Sequence, residues 1–301
     1  LKHSHLGLLV NFFSAFVASA MADIWTFETL DVQRNVATGV MEVALNRPKE
    51  LNAFNPAMWI DLRRCFEAAS SDPDTRCVVI HGGPCRLFTA GLDLKAELMG
   101  GAFQQDASVD LSRKAMRMEP VITRCQEGIT AIERCRKPVV GAFHSGVIGA
   151  GVDLASACDI RYCSEDTYFC IAEVNVGLAA DVGTLQRLPK IVGNDSIVRE
   201  LALTGRKMLS SEAKDLGLVG KICGTREDCL NAARKVAEEI AAKSPVAVVG
   251  TKVSLNYSRD HSVQEGLEHI KQWNSVHLLS EDVMKAAQAT MMKAKPEFSK
   301  L

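Results

Sequence analysis

Three carboxylates, Asp153, Glu173 and Asp181, fall inside otherwise apolar sequence between Lys137 and Leu188, just after three closely spaced glycines, Gly146, Gly149 and Gly151. The run Pro138 to Phe143 carries β-branched residues between Pro and Gly, which suits a buried strand. Helical spacing resumes in VDLASAC, with Val152, Ala155 and Ala157 apolar. Strand, glycine turn and helix start, in that order, leave backbone N–H groups free where little side chain obstructs them. Free N–H donors beside acids in apolar surroundings suit chemistry that builds an enolate.

Two plainer readings compete at the level of the residues. The glycines follow G-x-x-G-x-G, not the G-x-G-x-x-G order of a dinucleotide loop, and no acid ends a second strand at the expected offset. The carboxylates are also compatible with helix caps or surface charges; Asp153, just after the glycine turn, fits a first-turn acid favoured by the helix dipole. Spacing alone leaves these open.

Several elements must position these groups. WTFETLDVQ and VATGVMEVALN alternate as two strands with a turn near Arg34-Asn35. Asn55 followed by Pro56 supplies an N-cap and a first-turn proline for a helix to about Ser70. Arg76 to His81 reads as a buried strand, and Phe88 to Leu94 turns through Gly91 into a short helix. A loose loop is expected over Gly100 to Ser108, then a helix from Asp110 to Arg136, stopped by Pro138. From Asp228 onward the pattern is all helical, so a boundary is expected near Cys223 to Thr225. The organisation expected is a leader or non-native extension over 1–20, a core carrying the site over 21–224, and a helical region over 225–301. GLLVNFFSAFVASA, within the first twenty residues, is apolar but short for a membrane span, and its flanks imitate a signal peptide.

With 301 residues, 47% apolar and 24% charged, the chain can bury one large core or two moderate ones. A formal net charge of −1 gives no field that would select nucleic acid or an anionic membrane. Ten cysteines are scattered without a C-x-x-C pair, and no HExxH or His/Cys cluster suggests a metal. Reduced cysteines packing as small hydrophobes are expected.

The stretches KPVVGAFHSGVIGAGVDLASACDIRYC, EVNVGLAADVGTLQRLP and LALTGRKMLSSEAKDLGLV, with LNRPKELNAF and FTAGLDL upstream, resemble the crotonase (enoyl-CoA hydratase/isomerase) superfamily, and within it the dienoyl-CoA isomerases. The resemblance runs from Thr26 to Ala294. It implies an α/β fold, a spiral of repeated ββα units with a helical C-terminal region that builds a homotrimer, or a hexamer as a dimer of trimers. It also implies isomerisation of a 3,5-dienoyl-CoA to the 2,4-dienoyl-CoA in fatty-acid β-oxidation, with coenzyme A part of the substrate and no separate cofactor. By matched position, the backbone N–H groups of Leu92 and Ala150 form the oxyanion hole, Ala150 standing where relatives carry Gly. The expected roles are Asp181 as base at C2, deep in the pocket, Glu173 as proton donor at C6, and Asp153 as a polar support that tunes the pair. Lys95 matches a cation near the coenzyme A phosphates, with Arg47 and Lys49 as weaker counterparts; His144 reads as a packed turn residue, and Ser145 replaces a usual Gly.

A 2-enoyl-CoA hydratase would instead use Asp153 and Glu173 around a water. A non-catalytic, RNA-binding relative is disfavoured by the balanced charge. Ser299-Lys300-Leu301 spells the S-K-L peroxisomal address, so an import receptor is an expected partner, with the mitochondrion as a second destination and no stable membrane insertion.

Overall fold

The computed structural model describes residues 24–96 and 108–301. The leader expected over 1–20, and residues 100–107 of the expected loop, lie outside them.

The first hairpin pairs β1 (Leu30–Asn35) with β2 (Val40–Leu45) antiparallel. It starts later, and turns later, than the alternation of the sequence suggests. Four more strands add in parallel: β3 (Cys77–His81), β4 (Val139–Phe143), β6 (Ile160–Ser164) and β9 (Lys221–Cys223), giving the order β1-β2-β3-β4-β6-β9. The short strands β5 (Gly146–Ile148), β7 (Tyr168–Cys170) and β8 (Lys207–Leu209) form a second sheet. A bridge between Thr89 and Val147 brings the Phe88 to Leu94 segment alongside β5. From β3, β4 and β6 in turn, the chain gives a strand to the main sheet, a shorter extended piece to or beside the small one, and then a helix. That is the expected spiral of ββα units.

Period-two alternation sends the side chains of the main sheet into two cores. Met41, Val78, Ile80 and Val139 pack under α1 (Pro56–Ser71) and α2 (Leu111–Arg134). Val40, Cys77, Val79 and Val140 face α7 (Arg226–Ala241), which presents Cys229, Leu230, Ala233 and Ala237 to them. A strand buried on both faces has no polar side, so β3 reads as a continuous apolar run. Asn55 caps α1 by accepting the Met58 N–H at 2.9 Å, with Pro56 in the first turn, where sequence put both. The change to an all-helical chain after Cys223 does not divide two packing units: α7 is one wall of the core. The helices α8 (Pro245–Arg259), α9 (Val263–His277) and α10 (Glu281–Met291) follow it. α8 is pinned by Lys252, which donates to Asp159 at 2.6 Å and to the Lys137 carbonyl at 3.1 Å. No helix among the described residues is long and apolar enough to cross a membrane.

Candidate active site

The site grows from two chain turns that touch. After β5, Gly149 adopts φ +53°, and α3 (Ala150–Ala157) begins directly beyond it with no side-chain cap. The first intrahelical bond there is Val152 N–H to the Gly149 carbonyl, so the Ala150 N–H has no acceptor among the described residues. Ala150 is not among the residues with positive φ, so its methyl group costs the turn nothing. On the neighbouring segment, Phe54 N–H donates to the Gly91 carbonyl and Asp93 N–H donates to the Phe54 carbonyl. Leu92 N–H lies between those two bonds and is left without an acceptor among the described residues. The segments are in close contact: a Cβ on Gly91 would sit 3.1 Å from the Ile148 carbonyl oxygen. The two residues that carry these unpaired donors, Leu92 and Ala150, both line one cavity of about 310 Å³.

The three acids reach the same cavity from different depths. Asp153, one turn into α3, is buried, and its carboxylate accepts the Thr184 N–H at 2.6 Å. Burial pushes its pKa up to about 6, and the nearby Asp181 adds to the rise, while Thr184 and Arg187 oppose it. Glu173 opens a 3-10 turn, Glu173–Val176, and is half-buried. Its Oε2 is buried without a partner among the described residues, and its Oε1 lies 3.1 Å from where a Cβ on Gly149 would be. Burial first, then the Asp153 charge, raise it to about 7. Asp181 follows on a loop and is exposed at the rim, not deep as sequence suggested. A rim position is what a loop with no strand or helix of its own allows. Its carboxylate has no hydrogen-bond partner among the described residues, whereas its main-chain carbonyl accepts from Gln126 of α2 at 2.7 Å. Trp59 of α1 and Met118, Val121, Ile122 and Cys125 of α2 supply an apolar wall.

Other expected residues stand elsewhere. Lys95 is exposed and off the cavity lining. Arg47 is occupied by Asp93 at 3.1 Å and by the Ala53 carbonyl, which gives it a structural task. His144 is buried against the Cys85 carbonyl at 3.0 Å, the packed residue expected, and Ser145 beside it holds φ +50°. His261 and His269 sandwich the Tyr257 ring, and His277 stacks on Trp273. No group of three or more metal-ligating side chains forms among the described residues.

Sequence reasoning missed the supports behind Asp181. α4 (Thr184–Val192) buries Arg187, whose guanidinium donates to Glu133 at 2.9 and 3.0 Å and to Thr130 at 3.1 Å, both on α2. A signal for it exists: Thr184, Arg187 and Leu188 share the inward stripe of an amphipathic helix, where a charge is out of place unless paired. Gln126 leaves no such signal.

The chain matches the family model for enoyl-CoA hydratase/isomerase over residues 35–300. It is 49% identical over 265 residues to a rat protein named mitochondrial Delta(3,5)-Delta(2,4)-dienoyl-CoA isomerase, covering 87% of this chain and 80% of that one. The human protein of the same name is 48% identical, covering 91% and 82%; an Arabidopsis thaliana protein named as the peroxisomal form is 43% identical, covering 92% and 99%. Among solved structures, an enoyl-CoA hydratase from Bacillus anthracis superposes with a TM-score of 0.80 at 25% identity, covering 90% of this chain and 99% of that one.

Proposed function

The chain belongs to the enoyl-CoA hydratase/isomerase family, and from that premise we propose that it isomerises 3,5-dienoyl-CoA to 2,4-dienoyl-CoA in fatty-acid β-oxidation. The observation that carries this reading is the pairing, in one apolar cavity, of two unpaired backbone N–H groups with two carboxylates that have unpaired oxygens.

The thioester oxygen sits between the Leu92 and Ala150 N–H groups. Removing a C2 proton throws negative charge onto that oxygen, and each donor aimed there is worth ~3–4 kcal/mol in the transition state. The dienolate then takes a proton at C6. The double bonds move from C3 and C5 to C2 and C4, and the substrate gains and loses one proton. Sequence reasoning gave C2 to Asp181 and C6 to Glu173; the reverse is the better proposal. C2 is the carbon next to the carbonyl held at the oxyanion hole, and Glu173 is the acid beside Gly149, whose peptide bond carries the Ala150 N–H. Asp181 hangs on a loop fastened to α2, the helix that walls the acyl side. A carboxyl raised to about 7 is also matched to taking a proton near neutral pH. After each turnover Glu173 holds a proton that Asp181 has lost, so the pair resets through solvent. Asp153 adds the second-largest contribution to the rise at Glu173.

Hydration is the second reading. Against it stands Asp153, buried with an oxygen committed to the Thr184 N–H. Assaying the purified protein on a 3,5-dienoyl-CoA beside a 2-enoyl-CoA tests both: faster turnover of the dienoyl thioester supports isomerisation, and hydration as the main activity overturns it.

Coenzyme A comes with the substrate, and the reaction as drawn needs no other cofactor. We place the protein in a peroxisome-type organelle with the mitochondrion as a second site, in line with the names of its relatives. For assembly we propose a trimer or a dimer of trimers. Val276 and Val283 on the last two helices, and Leu278 and Leu279 in the turn between them, are exposed and so do not cover the parent core.

A further inference from the structure

Segment 181–184 is tied down at three successive points. The Asp181 carbonyl accepts from Gln126 at 2.7 Å, the Val182 carbonyl faces the Arg187 guanidinium at 3.5 Å, and the Thr184 N–H donates to Asp153 at 2.6 Å. Between them Gly183 adopts φ +137°, and a Cβ there would lie 1.8 Å from an Arg187 nitrogen. The guanidinium therefore fills the space behind the loop and leaves room only for glycine. Gln126, Thr130 and Glu133 are spaced four and three residues apart, on one face of α2. That face is a polar rail: one end holds Asp181, the other holds Arg187 through Glu133 and Thr130.

We propose that Arg187 and Gln126 are positioning residues for the acids of this site: together they set the aim of Asp181 into the cavity, and the buried Arg187 cation sets how readily the acid cluster gives up its last proton. This deepens the isomerase reading above and rests on it. Arg187 sits close enough to Asp153 to favour its charged form. Arg187 pairs with Glu133 from α2, and Glu133 in turn holds Arg259, at the end of α8, which pairs with Asp260; on the other side Asp153 from α3 feels both the Arg187 cation and the Asp181 charge. Lys190 on its own helix is turned to Asp260. Removing the cation destabilises the ionised form of Asp153, which is coupled to Glu173, so the cluster keeps a proton to higher pH.

The test uses Gln126→Leu, Arg187→Met and Arg187→Lys in the full chain, with kcat, KM and a pH profile from 5.5 to 9 on a 3,5-dienoyl-CoA, and thermal unfolding beside each. Gln126→Leu is expected to lower kcat about tenfold or more at unchanged KM, as a misaimed catalytic group does. Arg187→Met is expected to lower kcat further and to move the alkaline limb of the profile to higher pH. Arg187→Lys is expected to return the limb to its place but only part of kcat, since a point charge cannot replace the planar fork. A folded Arg187→Met with an unmoved limb overturns the proposal, as does Gln126→Leu with wild-type kcat. If Arg187→Met does not fold, Gln126→Leu and Arg187→Lys decide. A wild-type protein that does not isomerise the substrate overturns the functional reading beneath the proposal instead.

Discussion

Replacing Asp181 by Asn and Glu173 by Gln, one at a time, separates the two halves of the reaction if it is run in deuterium oxide. Each change keeps side-chain shape and removes a titrating group, so isomerisation should fall at least ~10²-fold in both, the low end for general acid–base catalysis. That is a loss of about 2.7 kcal/mol. The difference lies in what survives. In Asp181→Asn the proposed base, Glu173, is intact, as are the Leu92 and Ala150 donors, which are backbone groups. C2 hydrogen should go on exchanging with solvent although no product forms. Asp181 is a smaller contributor than burial or Asp153 to the rise at Glu173, so losing it leaves that base near its native strength and exchange within a few-fold of wild type. In Glu173→Gln both exchange and isomerisation should stop. Mass spectrometry of recovered thioester, with proton NMR to locate deuterium at C2 or C6, reads the outcome. Exchange that survives in Glu173→Gln and stops in Asp181→Asn refutes the assignment of roles. Isomerisation within tenfold of wild type in both variants refutes the pair.

Three further outcomes are expected. Gly149→Ala should cut kcat on the dienoyl thioester by at least tenfold, because the new methyl group meets Glu173 Oε1 at 3.1 Å and forces a side chain into the left-handed region at φ +53°; steady-state kinetics with a circular dichroism control checks it. Lys252→Met should destabilise the fold by roughly 3–5 kcal/mol in urea, since it strands Asp159 without the cation that pairs with it at 2.6 Å. Light scattering at micromolar concentration should give a trimer or hexamer mass, and Leu279→Asp with Val276→Asp should reduce it; a stable wild-type monomer refutes the assembly.

Much of the fold was legible because each element carries its own cause. Asn55-Pro56 marked the start of α1 to the residue, and the unbroken apolar run at β3 follows from burial on both faces. The three-residue strands β5 and β8 left no periodic pattern to find. Where α7 packs was not legible, for a different reason. Helical composition says nothing of which surface a helix covers, and this one covers the sheet. At the site, the glycine turn and the acids stood out as residue types against an apolar background. The proposed oxyanion donors are main-chain atoms common to every residue, so only the family resemblance named Leu92 and Ala150. The exposure of Asp181 and its tie to Gln126 depend on how a loop meets α2, across fifty-five positions of sequence, and no local pattern encodes that.

Asp153 separates a functional carboxylate from a structural one by its effect on stability. A carboxyl whose pKa is higher in the fold than in the unfolded chain binds its proton more tightly when folded. The fold is then favoured at low pH, and that advantage is lost as pH rises from the unfolded pKa through the folded one. For Asp153 the rise is from 3.8 to about 6, so the loss runs over that window and is complete above it. At ~1.4 kcal/mol per unit the buried carboxylate costs the fold on the order of 3 kcal/mol at pH 8. An Asn at this position still offers an oxygen to the Thr184 N–H and carries no charge to desolvate. Asp153→Asn should therefore raise stability by about 2–3 kcal/mol at pH 8 and by much less at pH 4.5, read from urea midpoints at the two values. It should also lower kcat less than Glu173→Gln does, by removing the like charge that helps hold Glu173 near 7. If the variant is instead less stable at both pH values, the carboxylate is there to tie α3 to the start of α4, and the fold would need its charge whatever the chemistry. A site that trades stability for reactivity should show the opposite, because a charge kept where the fold resists it is kept for the substrate.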